Sequence, residues 1–216
     1  GSDTGGFGCD TTEDLMIRWL QYSLFTPLFR NHAADGTREQ ELYQFSNVKA
    51  AGEMIQIRYR LIPYLYSEFL KAALNDEMMF KPLSFDFPDD AMAEQVEDQL
   101  LLGNELMIAP IYKQNAQGRY VYLPEEMMLV RMHSSKDYTT EILPKGHHYV
   151  SVGLDELVFF IRNQKAIPFA ESAENTAKTD YNTIQLLGYE GSSYELYADN
   201  GTSPNPEDSL TIKTLS

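Results

Sequence analysis

A chain of 216 residues, 43% hydrophobic and 12% aromatic, has material for one or two ordinary buried cores. Its formal net charge of −15, from 32 Asp and Glu against 17 Lys and Arg, opposes a phosphate backbone, so nucleic acid is excluded as an expected partner. No run of about 18 apolar residues occurs, which excludes a membrane-spanning helix, and the first residues do not read as a secretory signal. The single cysteine, Cys9, cannot form a disulfide within the chain; that suits a reducing compartment and predicts a cytoplasmic protein.

The opening stretch Asp3-Thr4-Gly5-Gly6-Phe7-Gly8 is glycine-rich and starts in mid-loop, so the chain is expected to continue something longer. Asp10 followed by Glu13 has the spacing of a capping box, and Leu15, Trp19, Tyr22 and Leu24 recur at helical intervals, which predicts a helix over 11–24. Thr26-Pro27-Leu28-Phe29 reads as a buried strand delivering Arg30, Asn31 and His32 at its C-terminal end. The charged stretch 33–44, with Gly36, reads as a loop. Ser46 is expected to cap a long helix to about Leu74, kinked at Pro63. Val48, Ile55, Ile62, Leu65, Phe69 and Ala72 would form its apolar face.

After Pro82 the apolar period drops from about 3.6 to about 2. Runs at 83–87, 106–109, 120–123, 128–132, 157–161, 184–187 and 194–197 alternate or bury fully, with turn signals at Gly103-Asn104, Lys145-Gly146 and Asn200-Gly201. These predict an antiparallel β-sandwich over 82–216, with a long loop over 170–180 and weak order after Thr202. Residues 1–81 contain too little to close a (β/α)8 barrel, which needs about 250 residues, so they are expected to dock against further barrel material.

Several features invite a site and carry none. His147 and His148 are adjacent and would point to opposite faces of a strand, so no metal site is expected. Asp199-Asn200-Gly201 resembles a calcium loop but lacks the later acidic ligand, and a hairpin turn explains it. Glycines 5, 6 and 8 do not make a phosphate-binding fingerprint, and no cofactor is implied. The tyrosines permit a noncatalytic reading, in which the sandwich binds carbohydrate or simply buttresses a barrel.

Six motifs stand in order over nearly the whole chain: Asp3-Thr4-Gly5-Gly6-Phe7; Arg18-Trp19-Leu20-Gln21 followed by the stretch from Phe25 to His32; Arg58 to Tyr66; Asp98 to Pro110; Arg119 to Pro124; and Tyr194 to Gly201. Together they resemble glycoside hydrolase family 31, most closely its α-glucosidases of the gut Firmicutes type. The resemblance implies that residues 1–81 are the end of barrel strand seven, helix seven, strand eight and helix eight. It implies retaining hydrolysis of terminal α-linked glucose from di- and oligosaccharides, with α-xylosidase or lyase action as alternatives in the family. Retention needs two carboxylates about 5–5.5 Å apart. The resemblance places both before residue 1, in the remaining N-terminal part of the enzyme, so the chain alone is expected to be inactive.

For this chain the resemblance implies binding roles around the −1 subsite. Asp3 would accept hydrogen bonds from sugar hydroxyls, although by position alone it could equally pair with an arginine elsewhere in the barrel. His32 would donate to a hydroxyl, and Phe7 would wall the sugar ring or merely pack its loop. Arg30 would orient Asp3 or another buried carboxylate through a bidentate pair. Arg38 and Glu39 would border an outer subsite or form a solvated run. Thr4, at the pocket floor, replaces the family's usual apolar residue; Cys9 and Gln164 also depart from its pattern.

Overall fold

The computed structural model describes residues 1–216. Strand β1 (Ser2–Thr4) and strand β2 (Phe29–Asn31) pair in parallel, joined by helix α1 (Glu13–Ser23). Thr12 caps α1 by accepting from the Leu15 amide at 3.2 Å. The expected capping box does not form: Asp10 accepts from the Arg38 amide and Glu13 from the Asn47 amide, each at 2.6 Å. Both carboxylates thus bind the loop that leads into helix α2 (Val48–Asn75), which starts after Asn47, with no cap from Ser46. At its other end α1 lacks a basic residue, and Arg58 of α2 supplies the cation by donating to the carbonyls of Leu24 and Thr26 at 2.5 and 2.9 Å. β2 holds the polar residues themselves, and the preceding Leu28 is exposed.

Helix α2 runs through Pro63, and its buried face overlaps the apolar one read in the sequence at Leu65, with Ile55, Ile62 and Ala72 half-buried at its edge. Ala51, Met54, Ile57, Leu61, Tyr64 and Leu65 face the core together with Arg60, Ser67 and Glu68, whereas Val48 and Phe69 are 47% and 48% exposed. The polar residues are buried because partners in the antiparallel part and on α2 itself satisfy them. Arg60 donates to the carbonyls of Ala170, at 2.7 Å, and of Ser135. The Tyr64 hydroxyl donates to the Leu102 carbonyl at 2.5 Å, and Glu68 accepts from Tyr194 at 2.6 Å and Lys71 at 2.7 Å.

The rest is antiparallel. In chain order come β3 (Phe80–Pro82), two short helices α3 (Leu83–Asp86) and α4 (Ala91–Glu94), β4 (Leu100–Leu102), β5 (Leu106–Ile108) and β6 (Gly118–Leu123). Then follow β7 (Met127–Met132), β8 (Tyr138–Leu143), β9 (Gly146–Ser151), β10 (Leu157–Arg162), β11 (Ala166–Phe169), β12 (Gln185–Gly188), β13 (Tyr194–Ala198) and β14 (Thr211–Leu215). The expected strand at 83–87 is therefore helical: Leu83 is fully buried, Phe85 is exposed, and the turn brings Asp86 onto Lys81 and Arg162. The stretch after Thr202 ends in a paired strand, with β14 in full register along β13. Gln164 lies in the β10–β11 turn at φ +54, a left-handed conformation that favours glycine.

Six strands form one sheet in the order β3-β4-β5-β10-β7-β8, and the pairs β6–β9, β11–β12 and β13–β14 lie beside it. Alternation along β10 shows how the layers sit. Phe159 and Ile161 pack with Leu20, Phe25, Ile57 and Leu61 of the helical part. Phe160 packs on the other side with Val121, Leu123 and Val150 of β6–β9 and with Val152 just beyond β9. No helix is long and apolar enough to cross a membrane.

A buried carboxyl sits where α2 meets the sheet. Glu105 lies against the Tyr64 hydroxyl at 3.3 Å, faced by Glu68, Lys71 and Lys165. Its pKa is raised from the ordinary 4.5, first by desolvation and then by Glu68, with the lysines pulling the other way. A carboxyl that binds its proton more tightly folded than unfolded stabilises fully below 4.5 and loses that contribution as pH rises through its raised value. The thermal midpoint is therefore expected to fall across that window, and Glu105→Gln, which fixes the neutral form, is expected to flatten the fall. An equally steep profile in the variant would refute this.

Candidate functional site

The C-terminal ends of β1 and β2 carry the residues singled out in the sequence. Asp3 stands opposite Arg30 and Thr4 opposite Asn31, so successive side chains fall on opposite faces. Thr4 turns toward the helices and donates to the buried Ser23 hydroxyl at 3.1 Å. It forms no part of a pocket floor. On the other face Arg30 reaches Asp3: Nε and Nη2 converge on Oδ1 at 2.7 and 2.6 Å. The hydrogen bond goes to one oxygen, not to both as in a fork, and Asp3 Oδ2 accepts no hydrogen bond within the chain.

Beyond Asp3 the backbone turns sharply, with the Gly6 amide on the Asp3 carbonyl at 3.0 Å and Gly5 and Gly6 at φ +89 and +90. At φ +89 residue 5 favours glycine, and a Cβ there would also lie 2.6 Å from the Met16 methyl of α1. The turn delivers Phe7, whose ring stacks on His32 at 5.3 Å and 30°, while the Ala34 amide donates to the Phe7 carbonyl at 2.9 Å. Phe7 is 50% exposed. The Asp3–Arg30 and Phe7–His32 pairs occupy the same strand ends, but no hydrogen bond joins them. Two strand ends give one wall, and a barrel mouth needs the other staves. A groove of about 520 Å³ does exist, lined by Leu15, Trp19, Tyr22 and Tyr112 between α1 and the β5–β6 connection, and of β1 only Ser2 reaches it.

Arg38 and Glu39 have work of their own. Arg38 donates to the Thr11 carbonyl at 2.9 Å and lies over the Phe45 ring at 4.5 Å; Glu39 accepts from Gln44 at 2.8 Å. Nothing in the sequence pattern marks their neighbour Gln40, which is buried beneath the turn and the end of β2.

His147 packs on Tyr122 at 5.0 Å, and a ring nitrogen of His148 lies 2.8 Å from the Pro144 carbonyl; no group of three His, Cys, Asp or Glu could hold a metal ion. Asp199 accepts from the Gly201 amide at 2.9 Å and the Tyr66 hydroxyl at 2.8 Å. The connection it starts runs from 199 to 210, longer than a hairpin turn and closed by a 3-10 turn at Pro206–Ser209.

The β1–α1–β2–α2 part and the antiparallel part are held together by side chains from the helices. Arg18 of α1, buried, donates to the carbonyls of Ala116, Val152 and Gly153 at 2.8, 2.9 and 3.2 Å. Gln21 adds bonds to Gly153 and Glu156 carbonyls at 3.1 and 2.6 Å. Burial lowers the Arg18 pKa, but an arginine so placed keeps its charge, which the three carbonyl dipoles solvate. The strand ends are thereby fixed relative to the sheets.

Residues 1–68 match the family model described as "Glycosyl hydrolases family 31 TIM-barrel domain", and residues 76–167 that of the "Glycosyl hydrolase family 31 C-terminal domain". The chain is 34% identical over 208 residues to Alpha-glucosidase 2 of Bacillus thermoamyloliquefaciens, covering 93% of this chain and 26% of that enzyme. It thus spans about a quarter of the length of the relatives it matches. Among solved structures, an α-xylosidase of Xanthomonas citri superposes with a TM-score of 0.80 at 22% identity, covering 99% of this chain and 25% of that one. An α-1,4-glucan lyase of Gracilariopsis lemaneiformis does so with a TM-score of 0.84 at 22% identity, covering 99% and 24%. At that identity the two structures speak for the fold alone.

Proposed function

The chain belongs to glycosyl hydrolase family 31, and on that premise we propose that it is the C-terminal part of a retaining α-glucosidase that removes terminal α-linked glucose from di- and oligosaccharides. Its remaining N-terminal part supplies the other staves of the barrel and, on them, the nucleophile and the general acid and base. Asp3, Phe7 and His32 belong to the −1 subsite. Residues 82–216 act as a β-sandwich that buttresses the barrel, a reading supported by the Arg18 and Arg60 bonds to sheet carbonyls and loops. The lone exposed Cys9 fits a reducing, cytoplasmic setting.

One observation supports the binding role: Arg30 hydrogen-bonds Asp3 through Oδ1, and the Phe7–His32 stack follows the same two strand ends. A carboxylate fixed in this way can accept from a sugar hydroxyl without first ordering itself, which reduces the entropy lost on binding. Arg30 keeps it in place, His32 offers a ring nitrogen to a neighbouring hydroxyl, and Phe7 offers an apolar surface to the ring's C–H groups. Glycosidic cleavage itself needs the two upstream carboxylates, so the 216-residue chain alone is expected to leave α-glucosides intact. The test is to assay the enzyme that carries both this chain and its barrel on paired chromogenic α-glucoside and α-xyloside. Turnover of the glucoside supports the proposal; turnover of the xyloside alone, or of neither, defeats it.

A further inference from the structure

Resting on that reading of the site, we propose that Gln40 is the positioning residue that locks the two sugar-facing segments, Asp3–Phe7 and Asn31–His32, to one another. Gln40 is 3% exposed, in a loop otherwise rich in charge. Its Nε2 lies 3.0 Å from the Gly6 carbonyl and 3.1 Å from Asn31 Oδ1, with the carbonyls of Thr4 and His32 each at 3.4 Å. Asn31 Nδ2 returns a bond to the Gln40 carbonyl at 2.7 Å.

An amide nitrogen has two hydrogens, and the two nearest oxygens take them: one on the turn after β1, the other at the end of β2. Every acceptor around the group is therefore an oxygen of one of the two sugar-facing segments. The opposite end of the amide makes the orientation unambiguous. Gln40 Oε1 is buried and meets no donor, yet turning the amide over would set that oxygen against four oxygens. The group is held for its donors. It spans the turn that places Phe7 and the strand end that places His32, whose ring stack is the visible result.

Two variants separate this role from simple filling of space. Gln40→Met keeps the length and loses the donors; Gln40→Glu keeps the shape and turns an oxygen toward four oxygens. In the 216-residue chain, amide hydrogen exchange at Gly6 and Ala34, which bond across and within the two segments, is expected to speed up by about 10-fold or more in Gln40→Met, with Val130 and Phe159 unchanged. In the barrel-bearing enzyme the same variant is expected to lower kcat/KM for an α-glucoside by about 10- to 100-fold, mostly through KM, with Gln40→Glu lower still. Exchange and KM both within twofold of the parent in Gln40→Met would overturn the proposal. A parent enzyme that cleaves no α-glucoside would sink the functional reading instead, while exchange at Gly6 and Ala34 would still decide the role of Gln40.

Discussion

Gly103→Ala is expected to lower the stability of the chain by about 3 kcal/mol. Gly103 turns β4 into β5 at φ +62, a left-handed conformation that alone costs a residue with a Cβ on the order of 1 kcal/mol. Here the turn is also pressed into the buried knot beneath α2: an added Cβ would lie 2.2 Å from Glu68 Oε2 and 2.6 Å from the Tyr64 hydroxyl. Neither can withdraw freely. Glu68 is engaged by Tyr194 and Lys71, and Tyr64 by the Leu102 carbonyl. The comparison is Gly36→Ala, at φ +79 with nothing within 4 Å of its added Cβ, which carries the backbone penalty alone. Urea unfolding followed by circular dichroism should show a loss for Gly103→Ala about 2 kcal/mol greater than for Gly36→Ala. Equal losses would mean that the junction under α2 is loose.

Asp3→Ala in the barrel-bearing enzyme is expected to lower kcat/KM for an α-glucoside by about 1,000-fold while leaving the melting temperature nearly unchanged. The two readouts separate because the roles differ. The ion pair with Arg30, whose side chain is 52% exposed, is solvent-screened and adds less than about 1 kcal/mol to stability. Charged hydrogen bonds to sugar hydroxyls inside a closed site are worth about 1.5–3 kcal/mol each, and loss of two yields the fold-change above. A variant with normal turnover would remove Asp3 from the subsite. One that fails to fold would make it a structural residue.

Much of the fold was legible because it rests on periodicity. β10 and β7 stand out as apolar runs since both faces of the central sheet are covered. What stayed hidden was decided by partners distant in sequence. The buried face of α2 includes Arg60, Ser67 and Glu68, made tolerable by a carbonyl, an amide and a hydroxyl more than a hundred residues away, so an apolar count found Leu65 but set the face off-centre. β14 is mostly exposed and polar, and only its pairing with β13 makes it a strand. At the site, the resemblance picked out Asp3, Phe7, His32 and Arg30, but the bond pattern among them depends on the β1–β2 register. Gln40 escaped because one buried amide in a charged loop leaves no trace in any periodicity.

The most direct measurement is a crystal structure of the barrel-bearing enzyme with glucose bound. The account predicts a hydroxyl of the sugar within hydrogen-bond distance of Asp3 Oδ2, a His32 ring nitrogen on a neighbouring hydroxyl, and Arg30 still on Oδ1. Glucose seated away from these strand ends, with Asp3 Oδ2 taken up by an arginine of the barrel, would contradict it.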